Sequence, residues 1–234
     1  MTPVVLLLLG ALGAGLLAWF QHRRAEQRRA ALAAFAAANG WSFEPGDSEG
    51  IGGWWSDPPF GIGHSRRVTN VLRGVVDDRP MRTFDYRYKI TTSNGKTSTT
   101  RTYHFGVTAL RLPAHLPNLE VGPENVLTRL GNALGLDDVE LESEDFNRSF
   151  RVRGSARFAH DVLTPRTMEQ LLRGCCTGWR VSGSDLIGWD EGRSDEVEIL
   201  ARIDTLRRVA DGIPAFVWRD HGYDPPRGIG SAGG

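Results

Sequence analysis

Residues 3–20 (PVVLLLLGALGAGLLAWF) constrain this chain more than any other stretch: every position is apolar, Gly or Pro, and seven are leucine. As a helix rising 1.5 Å per residue the run reaches about 27 Å, close to the roughly 30 Å of a bilayer's hydrocarbon core. A core helix of a soluble protein would show a polar stripe, and none exists here. The leucines favour insertion by about 2 to 4 kcal/mol together, with four Gly and Pro residues working against them. The sequence therefore predicts a transmembrane helix and a lipid bilayer partner through residues 3–20.

A secretory signal peptide is the competing reading. It needs a basic residue ahead of the apolar run and a small-residue cleavage site behind it. Only Met1 and Thr2 precede the run, although Ala11-Leu12-Gly13 fits a cleavage site, so a secreted or extracellular-facing form stays open. The basic residues Arg23, Arg24, Arg28 and Arg29 follow the run, which places that flank and the main domain in the cytoplasm of a single-pass protein. Trp19 falls at the edge of the run, where an indole favours the headgroup layer. The arginines beside it can lie among anionic headgroups, at about 1 kcal/mol each.

Residues 23–38 (RRAEQRRAALAAFAAA) are strong helix formers, and Asn39-Gly40 forms a C-cap pattern, so a juxtamembrane helix should continue the anchor. The expected organisation is an anchor over 1–22, that helix over 23–40, one globular domain over 41–219 and a disordered tail over 220–234. Formal net charge is zero. Residues 1–40 are net positive and the rest is correspondingly acidic, which argues against a nucleic-acid-binding domain. Arginine outnumbers lysine heavily, since only Lys89 and Lys96 are lysines, and with abundant Ala and Gly this reads as the codon bias of a GC-rich bacterium. The two cysteines, Cys175 and Cys176, are adjacent, a spacing that suits neither a structural disulfide nor a CxxC redox motif.

Within the domain, residues 50–63 are irregular and carry Trp54-Trp55, a binding lip or a membrane-interface loop. Residues 81–112 form the clearest folding pattern. Asn94-Gly95 favours a two-residue type I′ turn. That turn would set Phe84 opposite Phe105, Tyr86 opposite Tyr103 and Asp85 opposite His104. Residues 68–76 read as a neighbouring strand. Residues 123–135 read as a helix with Val126, Leu127, Leu130 and Leu134 inward, and residues 139–143 as a strand. Residues 150–153 form a short strand, and Thr164-Pro165 opens a helix through Arg173. Gly183-Ser184 fits a type II′ turn joining residues 179–182 to 186–189. Ser194 is placed as the cap of a helix whose buried stripe is Ile199, Ile203, Leu206 and Ala210.

Chemistry is harder to locate. Asp85 with His104 and His160 with Asp161 are the candidate acid–base pairs, and neither has an identifiable nucleophile beside it. Glu140, Glu142, Glu144 and Asp145 lack the spacing and Gly turn of a calcium loop. No metal or cofactor is expected. The lipid-interface candidates are Trp19, Arg23, Arg24, Arg28, Arg29, Trp54 and Trp55.

In residues 84–89 (FDYRYK), 141–148 (LESEDFNR), 150–152 (FRV) and 161–165 (DVLTP) the chain resembles an uncharacterised family of bacterial proteins with one N-terminal membrane segment and a globular domain of unknown function. The resemblance covers most of residues 41–219 and implies no activity. The reading is an α+β fold: an N-terminal transmembrane helix plus one antiparallel-sheet domain with packed helices. Its function is that of a non-catalytic binding or interaction domain at the cytoplasmic membrane of a bacterial cell. A membrane-attached hydrolase using a His/Asp pair is the alternative.

Overall fold

The computed structural model describes residues 3–46, 58–123, 135–173 and 178–225, with side chains from residue 11 on in the first helix. That helix, α1 (Pro3–Ala38), is continuous over 36 residues, about 54 Å. It ends in a Schellman cap: Gly40 takes φ +69°, its N–H donates to Ala37 at 3.1 Å, and Trp41 N–H donates to Ala36 at 2.8 Å. Trp41 then folds back edge-on against Phe35. Among the described residues no helix is long and apolar enough to cross a membrane. The expected span is therefore not carried by the structure: from residue 11 only ten residues precede Gln21 and the arginines.

Among the described residues, seven antiparallel strands form one sheet. In chain order they are β1 (Ser42–Gly46), β2 (His64–Val76), β3 (Arg79–Ser93), β4 (Ser98–Gly122), β5 (Asp138–Val139), β6 (Arg151–Gly154) and β7 (Gly178–Glu191). The order across the sheet is β1-β2-β3-β4-β6-β5, with β7 on β4. The helices are α2 (Glu144–Ser149), α3 (Ala156–Val162), α4 (Pro165–Arg173), α5 (Glu196–Gly212) and α6 (Ala215–Asp220). This is the mixed α+β class expected.

Alternation along the strands gives the sheet two apolar faces. One, with Leu72, Met81, Leu110 and Val121, is covered by Leu32 and Ala36 of α1, by Ile199, Ile203 and Leu206 of α5, and by the smaller helices. The other gathers Phe60, Tyr86, Tyr88, Phe105 and Trp189. There Tyr88 stacks on Tyr103 and Phe105, and the Tyr86 hydroxyl donates to the Phe60 carbonyl at 2.7 Å. Burial pushes the Tyr88 phenol up to about 12.

Three expectations are corrected. The β3–β4 hairpin turns through four residues, not two: Ser93 pairs with Ser98, Phe84 with Val107, Tyr86 with Phe105 and Asp85 with Gly106. Asn94 uses its side chain instead of a left-handed backbone, accepting from the N–H groups of Lys96 at 3.2 Å and Thr97 at 2.9 Å. The two-residue turn lies instead between β2 and β3, where Asp77 and Asp78 take φ +47° and +61°. Residues 178–191 are not a hairpin, because both halves of β7 pair with the long β4 and Gly183, at φ +61°, marks an irregularity in the ladder. Finally, strand β5 is only Asp138–Val139; Ser143 caps α2, accepting from Phe146 N–H at 3.3 Å. The helix expected over 123–135 lies mostly outside the described residues, as do Cys175 and Cys176.

Candidate functional site

The densest polar cluster lies where α1 and α5 meet the sheet. Arg28 sits on the face of α1 that carries Leu32 and Ala36, so its guanidinium turns inward. It donates through both terminal nitrogens to Asp85, at 2.9 Å for Nη2–Oδ1, and Nη2 also donates to the Ser194 carbonyl at 2.8 Å. Asn70, left-handed at φ +52° where the β2–β3 register shifts, donates to Asp85 at 2.7 Å. From the other side Arg202 of α5 donates to the Ser194 hydroxyl at 2.6 Å, to Thr108 at 3.0 Å and to Asp190. Thr108 passes a hydrogen bond to Thr83, which donates to the Val107 carbonyl at 2.8 Å.

Two arginines and two carboxylates thus close around Ser194. Burial raises Asp190 above the usual carboxylate range, and it lowers Arg202, which Asp190 in turn pushes back up. Gly106 makes room for the cluster: a Cβ there would stand 1.8 Å from Ser194 Oγ. The remaining void, bordered by Arg28, Asn70, Asp85 and Ser194, holds about 10 Å³, room for one water and no organic ligand. Guanidinium donors cannot take a proton from Ser194, so the cluster offers no activated nucleophile. Its chemistry is that of a joint.

A second buried cluster lies at the far end of β4. Glu120 stands between Arg153 at 3.7 Å and Arg180 at 3.8 Å, and Arg153 also reaches Asp138 at 3.4 Å. Hydrogen bonding from Arg151 lowers the Asp138 carboxyl.

The register offsets the candidate acid–base pair, with Asp85 opposite Gly106. Asp85 belongs to Arg28, while His104 faces Arg87 across the strands. His104 is lowered below its ordinary 6.5 by burial and by Arg193 and Arg87, with Asp85 opposing. His160 is exposed on α3, and Asp161 faces Arg157 at 4.0 Å. Of the lipid-interface candidates, Arg28 is turned into the domain, whereas Trp19, Arg23, Arg24 and Arg29 are exposed. Arg23 lies 4.9 Å over the Trp19 ring. Trp54 and Trp55 lie outside the described residues. Among the described residues no group of three or more His, Cys, Asp or Glu could hold a metal.

Sequence reasoning placed Ser194 as a helix cap; the cap is Asp195, in a capping box with Glu198. The missed signal was Arg202, a charge on the stripe that also holds Ile199, Ile203 and Leu206.

A shallow cleft of about 350 Å³ lies on the outer part of the β3–β4 hairpin, bordered by Thr92, Asn94, Thr97, Thr99, Arg101 and Tyr103 among others.

No family model matches the chain, and no curated protein matches it. Among solved structures, the crystal structure of the mycobacterial trehalose monomycolate transport factor A, TtfA, is similar to it. The TM-score is 0.56 at 14% identity, over 87% of this chain and 99% of that one. The likeness is one of fold.

Proposed function

We propose that the chain is a membrane-tethered, non-catalytic binding domain, with the N-terminal half of α1 in the bilayer and the α+β domain on its cytoplasmic side. One observation carries the reading. Residues 11–20 of α1 stand clear of the domain with Leu12 65%, Leu16 52%, Leu17 65%, Trp19 50% and Phe20 56% exposed, while the second half of the helix is docked by Leu32 and Ala36. Covering those five side chains is worth on the order of 5 kcal/mol, and the nine residues ahead of them in the run are apolar, Gly or Pro. Arg23, Arg24 and Arg29 favour the cytoplasmic side for the following flank.

A binding role suits the site better than the hydrolase alternative, since Asp85 is held by Arg28 and His104 pairs with Arg87 across the strands. A fold shared with a protein named as a transport factor suits an accessory domain that engages a transported ligand or its carrier at the membrane. The test is carbonate extraction of membranes from cells making the full chain, with a reporter active only in the cytoplasm fused to Gly234. Retention in the membrane with an active reporter is expected. Release by carbonate, or a shortened form in the medium, would refute the tether; an inactive reporter would refute the orientation.

A further inference from the structure

Charge in this neutral chain is segregated. From residue 86 to 119 there is no carboxylate, against Arg87, Lys89, Lys96, Arg101 and Arg111. Residues 58–76 hold none either, against Arg66, Arg67 and Arg73. Both lysines of the protein lie on the hairpin arm that β3 and β4 extend beyond Asp85, where residues 91–101 are exposed. Of the nearest carboxylates, Asp85 is engaged by Arg28, and Glu191 stands opposite Phe105 at the end of β7.

The direction of the arm follows from how α1 is seated. Phe35 meets Trp41, whose ring lies against Gly74, the partner of Met81. Leu32 borders the same void as Thr83, and Arg28 reaches Asp85. The helix therefore runs antiparallel to β3, and toward its N-terminus it heads the way the arm points. At about 3.4 Å per strand residue, Lys89 is about 14 Å beyond Asp85. At 1.5 Å per helical residue, Phe20 is about 12 Å beyond Arg28. Arg87 thus stands level with Arg23 and Arg24, and Lys89 level with the end of the apolar run. The outer arm reaches further, and its Thr, Ser and Lys side chains cannot enter hydrocarbon without losing their water. In a tethered molecule with α1 tilted in the bilayer, the arm would lie along the headgroup layer.

We infer that this arm is a second membrane contact, in which Arg87, Lys89, Lys96 and Arg101 engage the phosphates of anionic lipids. The inference rests on the tether proposed above. The cleft beside Arg101, bordered by Thr92, Thr97 and Thr99, brings a guanidinium and hydroxyl donors to one place, which suits a phosphate. A basic residue near an anionic surface gains about fivefold in binding.

The test uses the full chain reconstituted into phosphatidylcholine vesicles with or without phosphatidylglycerol. Lys96 is acetylated with an uncharged succinimidyl ester and followed by mass spectrometry. Flotation first reports the tether: a chain that floats with neither vesicle defeats that reading and the inference with it. Where the chain floats, Lys96 should react about tenfold more slowly with phosphatidylglycerol present. Lys89→Glu/Arg101→Glu keeps the Lys96 reporter and should abolish the difference, whereas Arg157→Glu, on exposed α3, should leave it intact. Equal Lys96 reactivity in both vesicles, or protection that survives the double reversal, overturns the inference and leaves the tether standing.

Discussion

Removing the Arg28 side chain isolates the Asp85 carboxylate at the seam between α1 and the sheet. Asp85 is 12% exposed and would keep only the Asn70 donor, while Arg28 itself is 25% exposed. Deleting one member of a buried pair costs about 3–5 kcal/mol; water reaching this seam puts Arg28→Ala near the lower end, at about 3 kcal/mol. Asp85→Asn leaves an arginine that can swing toward solvent, and should cost about 1–2 kcal/mol. Arg28→Ala/Asp85→Asn removes both charges and should cost less than the two singles together, by about 2 kcal/mol. Leu32 and Ala36 hold the same segment with about 2–3 kcal/mol of apolar burial, so the single loss is large enough to free it locally. Urea unfolding of the full chain in detergent micelles gives the cycle, and hydrogen exchange at residues 32–36 reports local release. Strictly additive costs, or unchanged exchange in Arg28→Ala, would refute the assignment of Arg28 as the pin of α1.

Gly106→Ala drives a Cβ to 1.8 Å from Ser194 Oγ and 3.0 Å from Arg202 Nη2. The displacement should cost about 2 kcal/mol, seen as a Tm lowered by about 4–8 °C; an unchanged Tm would mean Ser194 is not packed there. His104 is held below its ordinary 6.5, so the folded state binds fewer protons than the unfolded chain just below that pH. Its contribution is complete above pH 6.5 and is lost as pH falls toward its folded value; His104→Gln should flatten that part of a stability–pH profile. Asp78→Gly removes the strain of a left-handed non-glycine residue at φ +61° and should raise stability by about 1 kcal/mol in urea melts.

What the sequence made legible were elements whose signal is local. The Asn39-Gly40 cap, the apolar stripe of α5 and the aromatic face of β3 each depend on residues within one or two turns of chain. The face assignment in the hairpin held even though its register did not: the turn gained two residues, and a shift of two leaves every side chain on its own side. The expected facing of Asp85 and His104 changed for that reason, since it depended on which residue faces which. β7 was misread because Gly183-Ser184 looks like a turn when β4, which pairs with both halves, is out of view. The joint around Ser194 draws on α1, β2, β3, β4, β7 and α5, with Arg28 and Ser194 separated by 166 positions. No local pattern encodes it, although Arg202 within an apolar stripe was a visible anomaly.

An ion pair at this joint does something that apolar packing there would not. Residues 30–38 are mostly alanine, a smooth surface that can sit on the sheet at several heights and rotations with similar burial. Two parallel guanidinium–carboxylate bonds admit one height and one rotation, which is the best-attested use of a buried charge pair. Through Ser194, whose carbonyl takes Arg28 and whose hydroxyl takes Arg202, that position is transmitted to the start of α5. The height of the domain along α1 then decides which residues of the hairpin arm stand level with Trp19 and Phe20. Moving the pair by one helical turn, about 5.4 Å, would shift the arm by nearly two strand residues relative to the apolar run. The Arg28–Asp85 contact therefore sets more than stability: it fixes how far the basic arm lies from the end of the segment proposed to enter lipid.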